Sequence, residues 1–98
     1  MQALRAHGSI PERLREYAGR LEIGQEELAG LLRPIRHRER PDRDALMYLL
    51  WREGCFRLGR IAPHFGVGYT AVEQACRRAE RRAKTDRKFR RVLEALPK

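Results

Sequence analysis

The side chains best suited to binding a ligand lie together in the stretch YTAVEQACRRAERR, residues 69–82. Thr70, Gln74 and Arg77 recur every three or four residues, and this spacing places them on one face of a helix. Gln can pair with adenine and Arg with guanine, while Thr can bond to a base edge or a phosphate. A solvated helix with a Glu73–Arg77 ion pair has the same spacing, so this stretch alone leaves both interpretations open.

A second basic group precedes this stretch in the segment RPIRHRERPDR, residues 33–43, which holds five arginines and two prolines. The segment is too polar and too broken for a core element, and it predicts an exposed basic loop. An arginine arm beside a helix in the major groove commonly enters the adjacent minor groove or contacts the backbone. We therefore expect this loop to act together with the helix.

The predicted DNA contacts come from the basic loop, from the start of a following short helix and from the helix that begins near residue 69. Tyr69, Thr70 and Gln74 are expected closest to the bases, because the first turns of such a helix lie deepest in the groove. The later arginines are expected to neutralise phosphates. The full set is Arg36, Arg38, Arg40, Arg43, Arg57, Arg60, Tyr69, Thr70, Gln74, Arg77, Arg78 and Arg81.

The elements that position these residues are predicted to be helices, because β-branched residues are few and never alternate. Ser9, followed by Pro11 and Glu12, is typical of a helix N-terminus with a capping box. A short second helix is predicted at about residues 25–32. Asp42 is predicted to cap a third helix, whose dense apolar side chains indicate the centre of the core.

A helix-turn-helix is predicted at about residues 58–84. Its first helix contains Pro63, whose ring would crowd the backbone four residues earlier. Gly66 and Gly68 form the predicted turn, and the long helix follows with a core face of small residues: Val72, Ala75, Cys76, Ala79 and Ala83. A last helix is predicted at about residues 86–96.

Length and charge limit the class of protein. Ninety-eight residues make one small domain, assigned to residues 9–98 after a flexible leader at residues 1–8. The 22 Lys and Arg against 13 Asp and Glu give a net charge of +9, which favours a polyanionic partner and most often nucleic acid. The alternative is a basic surface with no dedicated partner.

Other classes of site receive little support from the sequence. Cys55 and Cys76 are far apart and are predicted to be small buried hydrophobes in a reducing compartment. The three histidines lack metal-ligand spacing, and no phosphate-cradling glycine motif occurs, so we expect no metal, cofactor or small-molecule substrate. Tyr17 and Tyr48 fit core positions, and Trp51 fits a partly buried anchor at the edge of the domain. No apolar run approaches the roughly 20 residues that span a bilayer, so a cytoplasmic, nucleoid-associated location is expected.

Several stretches resemble the C-terminal DNA-binding domain of DnaA, the bacterial chromosomal replication initiator. They are RDALMYLL, RLGRIAPHFGVGYTAVEQACRRAE and, upstream, LREYAGRLEIGQEELAGLL, so the resemblance covers about residues 10–95. It implies an all-α, Trp-repressor-like fold of about six helices, with a helix-turn-helix that binds a short duplex box. It also implies a minor-groove arginine at Arg43, a threonine that starts the recognition helix at Thr70, and an arginine pair at Arg77 and Arg78.

The chain departs from this family in the turn. The family has one more residue and an Asp-His pair where this chain has GVGYT. Tyr69 stands at the base-reading histidine position and Ala71 at the second threonine, so the target site is expected to differ from the standard initiator box. These departures, in a chain without an ATPase module, resemble the DnaA-related domain appended to some REP-associated transposases.

We therefore expect a sequence-specific binder of double-stranded DNA that is not an enzyme. The setting is expected to be transposase-associated or initiator-like. A transcriptional regulator, a basic domain that binds RNA or nucleic acid without specificity, and a small transposase or nuclease unit remain alternatives. The sequence predicts neither the target site nor the oligomeric state.

Overall fold

The computed structural model describes residues 9–33 and 40–94. Within these ranges the chain forms six α-helices and no strand, which confirms the predicted all-α class. The predicted leader and two predicted DNA contacts, Arg36 and Arg38, lie outside the described residues. The helices are α1 Ile10–Arg20, α2 Gln25–Leu31, α3 Pro41–Arg52, α4 Leu58–Ile61, α5 Tyr69–Thr85 and α6 Arg87–Glu94, and a 3₁₀ turn at Ala62–Phe65 continues α4.

Helix α1 begins with the capping box that the sequence predicts. The Ser9 hydroxyl accepts the backbone N–H of Glu12 at 3.2 Å, and the Ser9 backbone N–H donates to the Glu12 carboxylate at 3.2 Å. Such a cap stabilises a helix by about 1 kcal/mol. It starts α1 at the position where Leu14 and Tyr17 face the core.

Helix α3 is the centre of the core, as its apolar density predicts, and it packs against α1, α4 and α5. The predicted cap at Asp42 is wrong, because α3 begins at Pro41 and has Arg40 as its N-cap, two residues before the predicted one. Proline suits the first helical position, where its missing N–H has no partner to lose. Asp42 and Asp44 lie in the first turn instead, where their charges oppose the positive end of the helix dipole.

The chain between α4 and α5 turns over a short distance. The backbone changes to a 3₁₀ turn at Ala62, so that Pro63 lies in the first turn of this segment, where its missing N–H breaks no bond. Gly66 ends the segment in the left-handed region, at φ 67° and ψ 30°. Gly68 then precedes α5, so both predicted turn glycines lie where the sequence places them.

The cysteines and the larger aromatic residues differ in how deeply they are buried. Cys76 and Tyr17 are buried as predicted, and Tyr48 is only partly buried against the core. Trp51 is 37% exposed and packs edge-on against Tyr48, which agrees with the predicted anchor at the edge of the domain. The prediction that Cys55 is buried is wrong: it is exposed, with φ 60°, in the loop between α3 and α4. Among the described helices, none has the length and apolar character needed to cross a bilayer.

Candidate nucleic-acid interface

Helix α5 separates small buried side chains from polar exposed ones. Val72, Ala75, Cys76 and Ala79 are buried, and Ala83 is partly buried, so the predicted core face is confirmed. Because most of these side chains are alanines, the α5 backbone lies close to its neighbours. The opposite side is exposed and is called the reading face here; it consists of Thr70, Gln74, Arg77 and Arg81.

The first turn of α5 is open to a ligand. Tyr69 is 59% exposed, and Gly68 before it has no side chain that could cap the helix. The first turn also has no acidic residue that would offset the positive end of the helix dipole. Backbone N–H groups at such an end can bind an anion such as a phosphate.

Arg77 forms the ion pair with Glu73 that a solvated helix would have. Its guanidinium lies 3.1 Å from the Glu73 carboxylate, and both side chains are well exposed. Exposed pairs at this spacing contribute only about 0.3–0.5 kcal/mol. A charge-assisted bond to a phosphate or a guanine is stronger, so Arg77 could exchange Glu73 for either.

Arg78 has a role that the sequence does not predict. Its guanidinium donates two hydrogen bonds to the Asp44 carboxylate, at 2.9 and 3.0 Å, and thereby joins α5 to α3. The Asp44 side chain is only 8% exposed, so this is a largely enclosed ion pair. Arg78 therefore fixes the position of α5 in the domain, in addition to any contact with a phosphate.

Arg43 is the clearest departure from the sequence prediction. The residue is only 9% exposed, and its guanidinium donates to the backbone carbonyls of Leu31 at 2.8 Å, Phe65 at 3.0 Å and Arg33 at 3.3 Å. It also lies over the Phe65 ring, 5.6 Å from the centroid. Burial lowers the pKa of the guanidinium, an effect that Asp44 partly opposes.

The structure thus contradicts the prediction of Arg43 as a minor-groove arm. Because α3 begins at Pro41, Arg43 lies in the first turn of a core helix rather than in a loop. Its side chain satisfies carbonyls at the ends of α2 and of the 3₁₀ turn, which no intrahelical N–H can reach.

The remaining predicted contacts within the described residues lie at or near the N-termini of α3 and α4. Arg57 and Arg60, at the start of α4, are exposed. Arg40 is half-buried and lies 3.7 Å from the Glu27 carboxylate. The Arg33 carbonyl and the Phe65 carbonyl bind the same guanidinium nitrogen of Arg43, so the start of the basic segment lies beside the chain that leads into the turn.

The reading face and the adjacent Arg78 border a basic hollow. The side chains of Gln74, Arg77, Arg78 and Arg81 enclose a shallow space of about 250 Å³. Its lining can bond to a phosphate or to the edge of a base.

Lys84 is exposed and extends the reading face by two helical turns beyond Arg77. The sequence prediction omitted Lys84, although its spacing of seven residues from Arg77 indicates the same face.

No family model matches this chain, and no significant match was found among curated proteins or solved structures. The resemblance to the initiator domain therefore rests on the sequence motifs. Within the described ranges, no three His, Cys, Asp or Glu side chains are grouped to hold a metal ion.

Proposed function

We propose that the chain binds double-stranded DNA in a sequence-specific manner, with α5 in the major groove. The observation that carries this proposal is the reading face, where hydrogen-bonding side chains project from a helix whose other side is a close-packed core. An α-helix is about 10–12 Å across with its side chains, and the major groove is about 12 Å wide.

The fit of α5 assigns a role to each part of the helix. Its first turns enter deepest, so Tyr69, Thr70 and Gln74 lie nearest the base edges. Arg77 and Arg81, one and two turns later, reach the sugar-phosphate backbone. The open N-terminus of α5 can accept one further phosphate.

The chain acts in this proposal by recognition, without a catalytic step. Its motifs support a transposase-associated or initiator-like setting near the nucleoid. A transcriptional regulator would use the same contacts. The major groove of A-form RNA is deep and narrow, and side chains cannot read it, so α5 favours B-form DNA.

The test is a selection of bound sequences from random duplexes, followed by affinity measurements on the selected site. We expect an enriched motif and a preference for the DNA duplex over an RNA duplex of the same sequence. Gln74→Ala should lose preference at one base pair and weaken binding to the selected site by about 1–3 kcal/mol.

Gln25→Ala is the matched control, because Gln25 is exposed on α2 and the chemical change is the same. It should leave the motif and the affinity unchanged. Selection without an enriched motif, or equal affinity for RNA and DNA duplexes, would contradict the proposal. DNA cleavage by the purified chain would show that it is a catalytic unit instead.

A further inference from the structure

Helix α6 carries a dense group of cations away from the reading face. Four of its eight residues are exposed arginines or lysines, and Glu94 is its one acidic residue. We call these four the α6 basic face: Arg87, Lys88, Arg90 and Arg91.

The fold gives no reason for this charge. Within the described part of the chain, no member of the α6 basic face has an acidic partner, whereas nearby Arg82 has Asp86 at 3.7 Å and the Phe89 ring at 5.4 Å. Arg87 and Lys88 lie in the first turn, where cations are unfavourable. Asp86, the one carboxylate at this end of the helix, accepts the Phe89 N–H at 3.0 Å and lies beside Arg82, so it forms no ion pair with either of them. Arg87 and Arg91 are neighbours of like charge at i, i+4. Cations placed against the local electrostatics indicate an external anion.

Arg87 and Arg91, at the centre of the α6 basic face, point away from the reading face, while Arg90 borders the groove described next. Leu93 is buried, and it lines a groove together with Leu49 of α3 and Ala83 on the core side of α5. Helix α6 therefore packs on the side of α5 opposite to the reading face. Arg91 lies opposite Phe89 and Leu93 on α6, and so faces outward.

We propose that the α6 basic face binds the sugar-phosphate backbone of a second DNA duplex while α5 reads the first. This inference rests on the proposed function. The face holds only Arg and Lys, without the Gln, Asn or Thr side chains that would help to recognise bases in a groove. It is therefore suited to bind phosphates regardless of base sequence. Because the apolar side of α6 is packed into the core, the helix has no free apolar face to insert into a membrane, and this favours a polyanion in water.

The test uses the full chain bound to an immobilised duplex that carries the selected site. A second, labelled duplex of unrelated sequence is added over a range of salt concentrations, and the mass of the complex is measured. We expect a complex of one protein and two duplexes. Arg91→Glu should weaken capture of the second duplex about tenfold and lower the slope of log affinity against log salt by about one, with binding to the first duplex nearly unchanged.

Arg15→Glu is the matched control, because Arg15 is exposed on α1 and the change in charge is the same. It should affect capture of the second duplex far less. The new Glu at position 91 can pair with Arg87 one turn earlier, so the variant should keep its helix content in circular dichroism.

The outcomes separate the two proposals. If the wild-type chain binds no selected duplex, the proposed function fails. If it binds the first duplex but never a second, or if Arg91→Glu and Arg15→Glu behave alike, the second surface is refuted while sequence-specific binding stands. Binding of anionic lipid vesicles that Arg91→Glu abolishes, with capture of the second duplex unchanged, would also refute it.

Discussion

Replacing Arg43 with methionine should lower the free energy of unfolding far more than it changes the binding of DNA by the folded chain. Methionine keeps an unbranched apolar side chain but removes every N–H donor. The buried guanidinium bonds to the Leu31 carbonyl at 2.8 Å and the Phe65 carbonyl at 3.0 Å, with a longer bond to Arg33 at 3.3 Å. The variant leaves these carbonyls, at the ends of two helical segments, without their donor.

The size of the effect follows from these bonds. A hydrogen bond to a charged group contributes about 1.5–3 kcal/mol, so the two short bonds together contribute roughly 3–6 kcal/mol. Burial of the charged guanidinium is itself unfavourable, and it lowers the pKa of Arg43. Removing the guanidinium removes this unfavourable contribution. A net loss of about 2–4 kcal/mol is expected, a large part of the 5–15 kcal/mol that holds a typical domain together. Arg43→Lys should recover less than half, since one ammonium cannot occupy the positions of both Nε, which bonds to Leu31, and the terminal nitrogen, which bonds to Phe65.

The measurement is urea denaturation followed by far-ultraviolet circular dichroism, with DNA titrations under conditions where the variant is folded. Arg60→Met is the matched control, since Arg60 is exposed on α4. It should change stability by less than about 0.5 kcal/mol but lower the salt slope of DNA binding by about one. If Arg43→Met left stability unchanged and lowered the salt slope instead, Arg43 would be a DNA contact and the buried role would be refuted.

Two further predictions concern the turn and the thiols. Gly66→Ala should destabilise the chain by about 1–2 kcal/mol, because the φ of 67° at this position is left-handed. Gly59→Ala is the control, since the added methyl group meets open space. It should be neutral or stabilising by up to about 1 kcal/mol in the same denaturation assay. Burial raises the pKa of the Cys76 thiol to about 12, so near pH 8 a thiol reagent should react quickly with exposed Cys55 and with Cys76 only after unfolding. The contribution of Cys76 to stability should be complete below about pH 9, the ordinary thiol pKa, and should fall as pH rises toward about 12; rapid reaction of two thiols in the native chain would contradict this.

The features that the sequence predicts well are local or periodic. The capping box at Ser9 needs residues only three apart, and the core face of α5 follows from helical spacing. The glycine turn is similarly local, because Gly66 tolerates a left-handed conformation that most residues avoid. Each of these patterns is complete within one or two turns of the chain.

The helical spacing of the sequence indicates that Arg43 is buried, although its positive charge suggests an exposed position. Arg43 lies three, four and seven residues before Leu46, Met47 and Leu50, which are all buried, so it falls on the core stripe of α3. Assigning the helix start to Asp42 left Arg43 at the end of a basic loop. The sequence could not predict the convergence of carbonyls from α2 and the 3₁₀ turn, since that depends on tertiary packing.

Neighbouring arginines on α5 differ for a similar reason. Arg77 and Arg78 are adjacent, and the sequence assigns both to phosphates. They point about 100° apart around the helix, so that Arg77 faces outward while Arg78 reaches Asp44 on α3. The difference depends on the angle at which α5 crosses α3, which no local pattern contains.

The first turn of α3 controls how the reading face is presented. Apart from Val72, the buried side chains of α5 are two alanines and one cysteine. Such small, similar groups resist rotation of a helix only weakly. Arg43 binds the chain before the turn through the Phe65 carbonyl, and the adjacent Asp44 binds α5 after the turn through Arg78. Buried polar pairs can fix register where apolar contacts do not, at some expense in stability. We infer that two consecutive residues of α3, Arg43 and Asp44, set the orientation of α5 from both sides of the turn and thereby position its exposed arginines.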